Sequence, residues 1–380
     1  MCVTGFFISP VSSLTARHET DETPTTSVNC VKHERTPPVI GFIGTGHIAT
    51  FHSKMLRRSG LDIVRGGCYD VDRARAEVFA QGSGSQVMDS EQQVIDSSDL
   101  VYICTWTSEH QRLVSMCIAA GKPYFCEKPL STDFLSASQM DTEARNAQLT
   151  HQCGLILRRS PAYLWAKELI DDPAAGAPMA VVFRDDQFIP IQGHYKSTWR
   201  GDTERAGAGT LLEHSIHDVD MLRFLIGDID AVSARATYRH QLPGIEDVVA
   251  ASVQFANGAV GTLTTIWHDN LSRASLRHVE IFCERRTIVI SGDDWFGPVT
   301  WTDADGASGS LQGDELLEKT HDMAVGHPNP DAAFVLAAIE KSPAYPDFAV
   351  ALEAHRVVEA MYESARHNGA SIDVAQIVAK

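Results

Sequence analysis

The chain has 380 residues, 44% of them hydrophobic and 21% charged, with a formal net charge of −17. That length accommodates two domains with well-buried cores, and the negative balance argues against nucleic acid or an anionic membrane as the main partner, since both demand a basic footprint. No apolar run approaches the length that crosses a bilayer, and the eight cysteines form no C-x-x-C pair, which speaks against a zinc knuckle or a redox dithiol.

Taken in chain order, residues 1–36 read as a tail outside the fold. The apolar patch Val3 to Ile8 lacks a basic segment before it and a clean cleavage site after it, a poor signal peptide. The Ser/Thr/Glu/Pro-rich stretch Ser12 to Pro38 reads as disordered or as an over-extended start. The first domain, expected over residues 37–154, opens with the apolar run Val39 to Ile43 and a helix through about Arg58. Strands follow at Ile63 to Tyr69, Leu100 to Cys104 and Tyr124 to Cys126, alternating with helices at Arg73 to Ala80 and Gln111 to Ala120. This alternation implies a doubly wound α/β domain with a parallel sheet and right-handed crossovers. Cys104, Cys117 and Cys126 fall in its apolar segments and read as buried reduced thiols, as expected of a cytoplasmic protein.

The pattern changes over residues 155–380. A helix at Ala162 to Ile170 and another from Leu211 lie among long extended segments at Ala180 to Phe188, Ala231 to Arg239, Val248 to Phe255 and Ala259 to Trp267. Asn257-Gly258 between the last two is a strong hairpin signal. Strands at His278 to Cys283 and Thr287 to Ile290 flank a second tight turn, and helices at Pro330 to Glu340 and Ala349 to Arg366 close the chain, with room to pack back on the first domain. This half is expected to be α+β with a large open mixed or antiparallel sheet.

Three motifs carry chemistry. Gly44-x-Gly46-x-x-Ala49 joins a strand to a helix, the setting in which a glycine turn cradles a dinucleotide pyrophosphate at a helix N-terminus, with Thr45, His47 and Ile48 in the turn. Asp70 ends the second strand, where an acid accepts from a ribose diol and repels a 2′-phosphate. That favours NAD, although Arg73 and Arg75 nearby leave NADP open. Asp70 reads equally as a turn or cap residue. The loop Thr105, Trp106, Thr107 to His110 follows the next strand end and should face the cofactor, with Trp106 either covering the nicotinamide or plugging the domain interface. Glu127-Lys128-Pro129 follows the strand after that, where a lysine can steady an alkoxide as hydride leaves. Finally, Gly207-Ala208-Gly209 leads into a segment with Glu213 and His217 four residues apart, one face of a single helix, so that the carboxylate orients either the imidazole for proton transfer or a substrate hydroxyl. His214 with His217 and Glu213 sketches a metal site, but no further His or Cys cluster completes a shell, and no metal is expected.

In this order, the glycine turn, Glu127-Lys128-Pro129, Trp199-Arg200, Gly207-x-Gly209 and the acid-x-x-x-His-Asp segment resemble the glucose-fructose oxidoreductase / inositol dehydrogenase / rhizopine catabolism (Gfo/Idh/MocA) family, from about Pro38 onward. The resemblance implies a Rossmann domain followed by an α/β domain with a large open sheet, and homodimers or homotetramers packed through that sheet. It also implies a sugar or polyol substrate in the cleft. By position it makes Lys128 and His217 catalytic, with Glu213 where the family most often has Asp. Arg158, Trp199, Arg200, Glu213, His214 and His217 would line the substrate cleft, with Arg158 and Arg159 equally able to clamp the hinge. Trp106 and Ala208 depart from the family's usual proline and glycine, pointing to a distinct subfamily. The expected activity is NAD(P)-dependent hydride transfer between nicotinamide and a secondary alcohol of a sugar, sugar derivative or inositol, as a dehydrogenase or, in reverse, a ketoreductase. The alternatives are a redox-neutral glycoside-cleaving enzyme working through transient oxidation, and a non-catalytic dinucleotide or sugar sensor.

Overall fold

The computed structural model describes residues 36–192, 196–270, 272 and 274–379. All but the last residue of the expected tail lies outside them. The first domain runs β1 Val39–Ile43, α1 His47–Arg58, β2 Val64–Tyr69, α2 Arg73–Ser83, β3 Gln86–Val87, α3 Glu91–Asp96, β4 Leu100–Ile103, α4 His110–Ala119, β5 Tyr124–Cys126, α5 Phe134–Ala147 and β6 His151–Cys153. Its strands form one parallel sheet in the order β3-β2-β1-β4-β5-β6. Helices on both faces bury it, so β4 is apolar and fully buried throughout instead of alternating.

The second part runs α6 Pro161–Asp171, β7 Pro178–Phe188, α7 Thr203–Ala206, α8 Thr210–Glu213, α9 Ile216–Leu225, β8 Ile229–Thr237, β9 Val248–Phe255, β10 Val260–His268, β11 Leu276–Cys283, β12 Arg286–Asp293, β13 Gly297–Asp303, β14 Ser308–Leu311, α10 Gly313–Thr320, α11 Pro330–Glu340, α12 Phe348–Arg366 and β15 Ile372–Asp373. Nine strands make a mixed sheet in the order β14-β13-β12-β11-β7-β10-β9-β8-β15. The β7–β10 pair is parallel and the other pairs are antiparallel. Strict alternation of buried and outward residues along β9 and β11 shows why the sheet is open: helices cover one face only. The hairpin expected at Asn257-Gly258 joins β9 to β10, with Gly258 at φ +88°.

Several elements were not legible in the sequence reading: β3, α3, α5, β6, α7, β13, β14, α10 and β15. One expectation is overturned. The helix expected to run on from Leu211 is two pieces, α8 and α9, broken at His214 and Ser215. At the break Ser215 Oγ and Thr210 Oγ1 both reach Thr265 Oγ1 on β10, the latter at 2.8 Å, so hydroxyls of a neighbouring strand hold the kink.

Helix α11 packs on the first domain. Its Phe334, Val335, Ala337 and Ala338 join Ile40, Phe42, Tyr102 and Phe125 in one buried cluster. A helix that is apolar nearly all round needs such enclosure. All six described cysteines are unpaired and buried, and among the described residues no helix is long and apolar enough to cross a membrane.

Candidate active site

The parallel sheet brings the carboxyl ends of β1, β4 and β5 to one edge, the place where open α/β sheets bind ligands. Gly44 has φ +82°, and a Cβ there would meet the Cys104 carbonyl oxygen at 2.5 Å, so the turn between β1 and α1 admits only glycine. Gly46, the N-cap of α1, has nothing within 4 Å of an added Cβ and no side-chain cap, leaving the first N–H groups of α1 facing open space. His47 stands exposed at the start of that helix, while Ile48 packs inward on the domain core.

Asp70 Oδ2 accepts from the backbone N–H (2.9 Å) and hydroxyl (3.1 Å) of Thr45, tying the second strand end to the glycine turn. The cap of α2 is Asp72, not Asp70. Arg73 turns away to Asp89 and Glu77, and the arginine beside Asp70 is Arg75, 3.7 Å from Oδ1. At the end of β4 the hydroxyls of Thr105 and Thr107 and Nε2 of His110 are buried without a hydrogen-bond partner, while His110 Nδ1 donates to the Pro129 carbonyl at 3.0 Å. Burial holds the His110 imidazole below its usual range, hence neutral. Trp106 is half-buried, with the Arg205 guanidinium 4.4 Å above its ring, so this tryptophan joins the two parts of the chain.

Lys128 reaches across the cleft. Its ammonium donates to the Glu213 carbonyl at 2.8 Å and lies 4.0 Å from the Glu213 carboxylate. Glu213 accepts from Arg200 Nε, and Arg200 in turn covers the Trp199 ring at 4.6 Å and donates to Ser197. Burial alone would raise the Glu213 carboxyl, but Arg200 and Lys128 hold it down at about 2, so it is a fixed anion. The expectation that Glu213 orients His217 fails. The kink between α8 and α9 separates them, and Glu213 belongs to Arg200 and Lys128.

His217 is 9% exposed, and its Nδ1 is buried without a hydrogen-bond partner. Burial, then the charges of Lys128 and Arg277 and the neighbouring His214, push it well below the usual histidine range. The ring is therefore neutral at physiological pH and free to accept a proton. His214 is pushed down to about 3 by burial and Arg277, and its Nε2 lies 2.7 Å from Asp185 Oδ2 and 2.8 Å from Arg277 Nη2. Behind it Arg277 pairs with Asp218 at 2.7 Å, with Asp294, and with Asp185 at 3.3 Å. Burial and the adjacent Asp185 raise the Asp218 carboxyl to about 7. The sequence reading missed Asp185 and Arg277. The available signal was a charged residue at an inward position of an alternating strand, rarely tolerated without a partner.

Arg158 does not face the cleft. It donates to both oxygens of Asp220 at 2.7 to 3.0 Å, bonds the Tyr345 hydroxyl and lies against the Phe224 and Tyr345 rings. Arg159 donates to the carbonyls of Val325, His327 and Tyr345. Both arginines serve as clamps between segments. Among the described residues no group of three or more His, Cys, Asp or Glu side chains is arranged to hold a metal ion.

The glycine turn, the uncapped helix and the all-parallel sheet define a Rossmann-type dinucleotide fold, joined here to an open mixed sheet. Residues 39–155 match the oxidoreductase family's NAD-binding Rossmann fold and residues 163–289 match the GFO/IDH/MocA C-terminal domain. The chain belongs to the Gfo/Idh/MocA family, and its first domain is that family's NAD-binding fold. It is 33% identical over 228 residues to inositol 2-dehydrogenase of Cereibacter sphaeroides, an alignment covering 58% of this chain and 64% of that protein. To 1,5-anhydro-D-fructose reductase of Ensifer adhaerens it is 29% identical over 226 residues, 58% of this chain and 66% of the relative. Levoglucosan dehydrogenase, solved with NADH and L-sorbose, superposes with a TM-score of 0.80 at 22% identity, over 90% of this chain and all of that one.

Proposed function

We propose that this chain is an NAD-dependent dehydrogenase acting on a secondary alcohol of a sugar, sugar derivative or inositol. The observation that carries the reading is a His217 held neutral, with an unpartnered buried nitrogen, near enough to feel the charge of the Lys128 ammonium that binds the Glu213 carbonyl. The dinucleotide fits the first domain by the open space over Gly46, the uncapped start of α1 and the three orphaned polar atoms at the end of β4. Gly44, Thr45, Gly46 and His47 would meet its phosphates, and Asp70 a ribose. Thr105, Thr107 and His110 would reach the other end. When bound, its nicotinamide supplies the hydride acceptor.

The protein's own work is then electrostatic and acid–base. Lys128 spends one N–H on the Glu213 carbonyl and keeps two for the substrate oxygen, where it stabilises the developing alkoxide. His217 takes the hydroxyl proton. Glu213, held as an anion by Arg200, anchors Lys128 and is placed to accept from a second hydroxyl. The named relatives, an inositol 2-dehydrogenase and a 1,5-anhydro-D-fructose reductase, support a polyol or pyranose over other alcohols.

The test is NADH formation from NAD with a panel of inositols, aldoses and glycosides. Turnover on one polyol is expected. Replacement His217→Ala should lower kcat by ~10²–10⁴, the scale for one general base, while leaving NADH affinity nearly intact. Full turnover in that variant would remove His217 from the mechanism.

A further inference from the structure

His52 sits in the middle of α1, entirely buried, with Nδ1 2.7 Å from Asp331 Oδ1 and Nε2 2.8 Å from Glu127 Oε1. A neutral imidazole carries one N–H, so it cannot donate to two carboxylates at once. With both acids ionised, the two contacts are satisfied only by imidazolium. Glu127 in turn accepts the Lys128 backbone N–H on its other oxygen, at 3.1 Å. Gly154 walls the same carboxylate in, since a Cβ there would meet Glu127 Oε1 at 2.6 Å. A charge relay of fixed geometry thus runs from α11 through α1 to the loop that presents Lys128.

We propose that His52 is a positioning residue for Lys128, acting through Glu127 as the centre of a buried Asp331–His52–Glu127 ion triad. Glu127 is nearly buried, and its two oxygens serve His52 and the Lys128 N–H at once. Without the imidazolium it is a buried carboxylate lacking its counter-charge, which must shift or take up a proton. Either response moves the hydrogen bond that sets the Lys128 backbone, and with it the ammonium on the Glu213 carbonyl. Asp331 completes the balance. It supplies the second negative charge that keeps the ring doubly protonated in a fully buried site. His52 touches no substrate; its effect on catalysis passes through Lys128, so the catalytic part of this inference rests on the function proposed above.

The test separates the two. In the full-length chain, lysines are reductively methylated with ¹³C, and the Lys128 resonance is assigned by its loss in Lys128→Met. The expected result is that Lys128 shifts in both His52→Gln and Asp331→Asn, while Lys122, whose ammonium binds the Ser98 carbonyl, stays in place. Asp331→Asn keeps the ring and its Glu127 contact, and decides the matter if His52→Gln does not fold. An unmoved Lys128 signal in a folded variant, or all lysine signals moving together, would overturn the proposal. This readout needs no substrate. With the polyol that the wild type oxidises, His52→Gln should lower kcat severalfold alone and leave it unchanged in a Lys128→Met background. An equal loss in both backgrounds would make His52 merely structural. Full activity of Lys128→Met would instead defeat the role of Lys128 and leave the lysine shifts to judge the triad.

Discussion

In the proposed role of base, a His217 that lacks a carboxylate partner behaves differently from the carboxylate–His pair that the spacing Glu213-x-x-x-His217 suggests. Among the described residues no carboxylate props up the His217 imidazolium, and Lys128 and Arg277 oppose it. The proton-accepting form is thus populated well into acid, at the cost of a weaker base. For kcat/KM of alcohol oxidation, the acid limb due to His217 should fall below pH 6.5. A limb centred at or above that value would mean that a carboxylate reaches the ring after all. At this scale the places of Lys128, just after β5, and of His217, near the start of α9, were legible, because each sits in a short motif of fixed spacing. The partners were not. Glu213 was assigned to the wrong residue because i, i+4 proximity presumes an unbroken helix. Asp185 and Arg277 lie on β7 and β11, strands brought together only by sheet pairing.

The segment Gly207 to Ile216 shows what the elements demand. A Cβ on Gly207 would strike the Thr132 carbonyl oxygen at 2.5 Å, and one on Gly209 the Glu246 carbonyl oxygen at 1.9 Å. Ala208, between them, merely packs against the core, which explains why a run often made of three glycines tolerates alanine at its centre. Glu246 also accepts the N–H groups of Gly209 and Leu211, at 2.8 and 2.9 Å, so it caps α8 in place of an N-cap side chain. Gly209→Ala should therefore destabilise the protein by about 3 kcal/mol or more, through overpacking against backbone that cannot yield. The thermal midpoint would fall and polyol turnover would be lost with it, whereas a variant as stable and active as wild type would show that the contact is not tight. The missed α5 was legible in principle. Asp133 caps it, accepting the Ser136 N–H, and Phe134, Ala137, Met140 and Ala144 recur at helical spacing, but small residues dilute the apolar signal. Two-residue strands such as β3 and β15 carry no periodicity to read.

Over the whole molecule, the Asp331–His52–Glu127 triad makes stability depend on pH. Burial opposes the charge on His52, but Asp331 and Glu127 outweigh it and raise the ring from 6.5 to about 10. A group whose folded pKa is raised contributes stability that is complete below 6.5 and is lost as pH climbs through about 10. The thermal midpoint of the wild type should drop more steeply over that window than that of His52→Gln. Parallel pH curves would show that the ring is not charged in the fold. The two-domain division was readable from the change in element pattern, and so was the large second sheet. That a carboxylate beyond residue 330 would complete the surroundings of the cofactor helix was not, since no local pattern marks contacts of such separation.

That same α11 sets the order in which the fold can be finished. The hydrophobic cluster under β1, β4 and β5 lacks a wall until Phe334 and Val335 arrive. A nascent chain stopped at residue 155 has every strand of the parallel sheet and still no closed core on that face. Contacts this distant in sequence are slow to form and leave apolar surface open meanwhile. A fragment of residues 37–155 should accordingly aggregate or bind NADH poorly when expressed alone. The nucleotide-binding half should therefore become a stable body only once α11 has joined it, well after the last strand of the parallel sheet has been made.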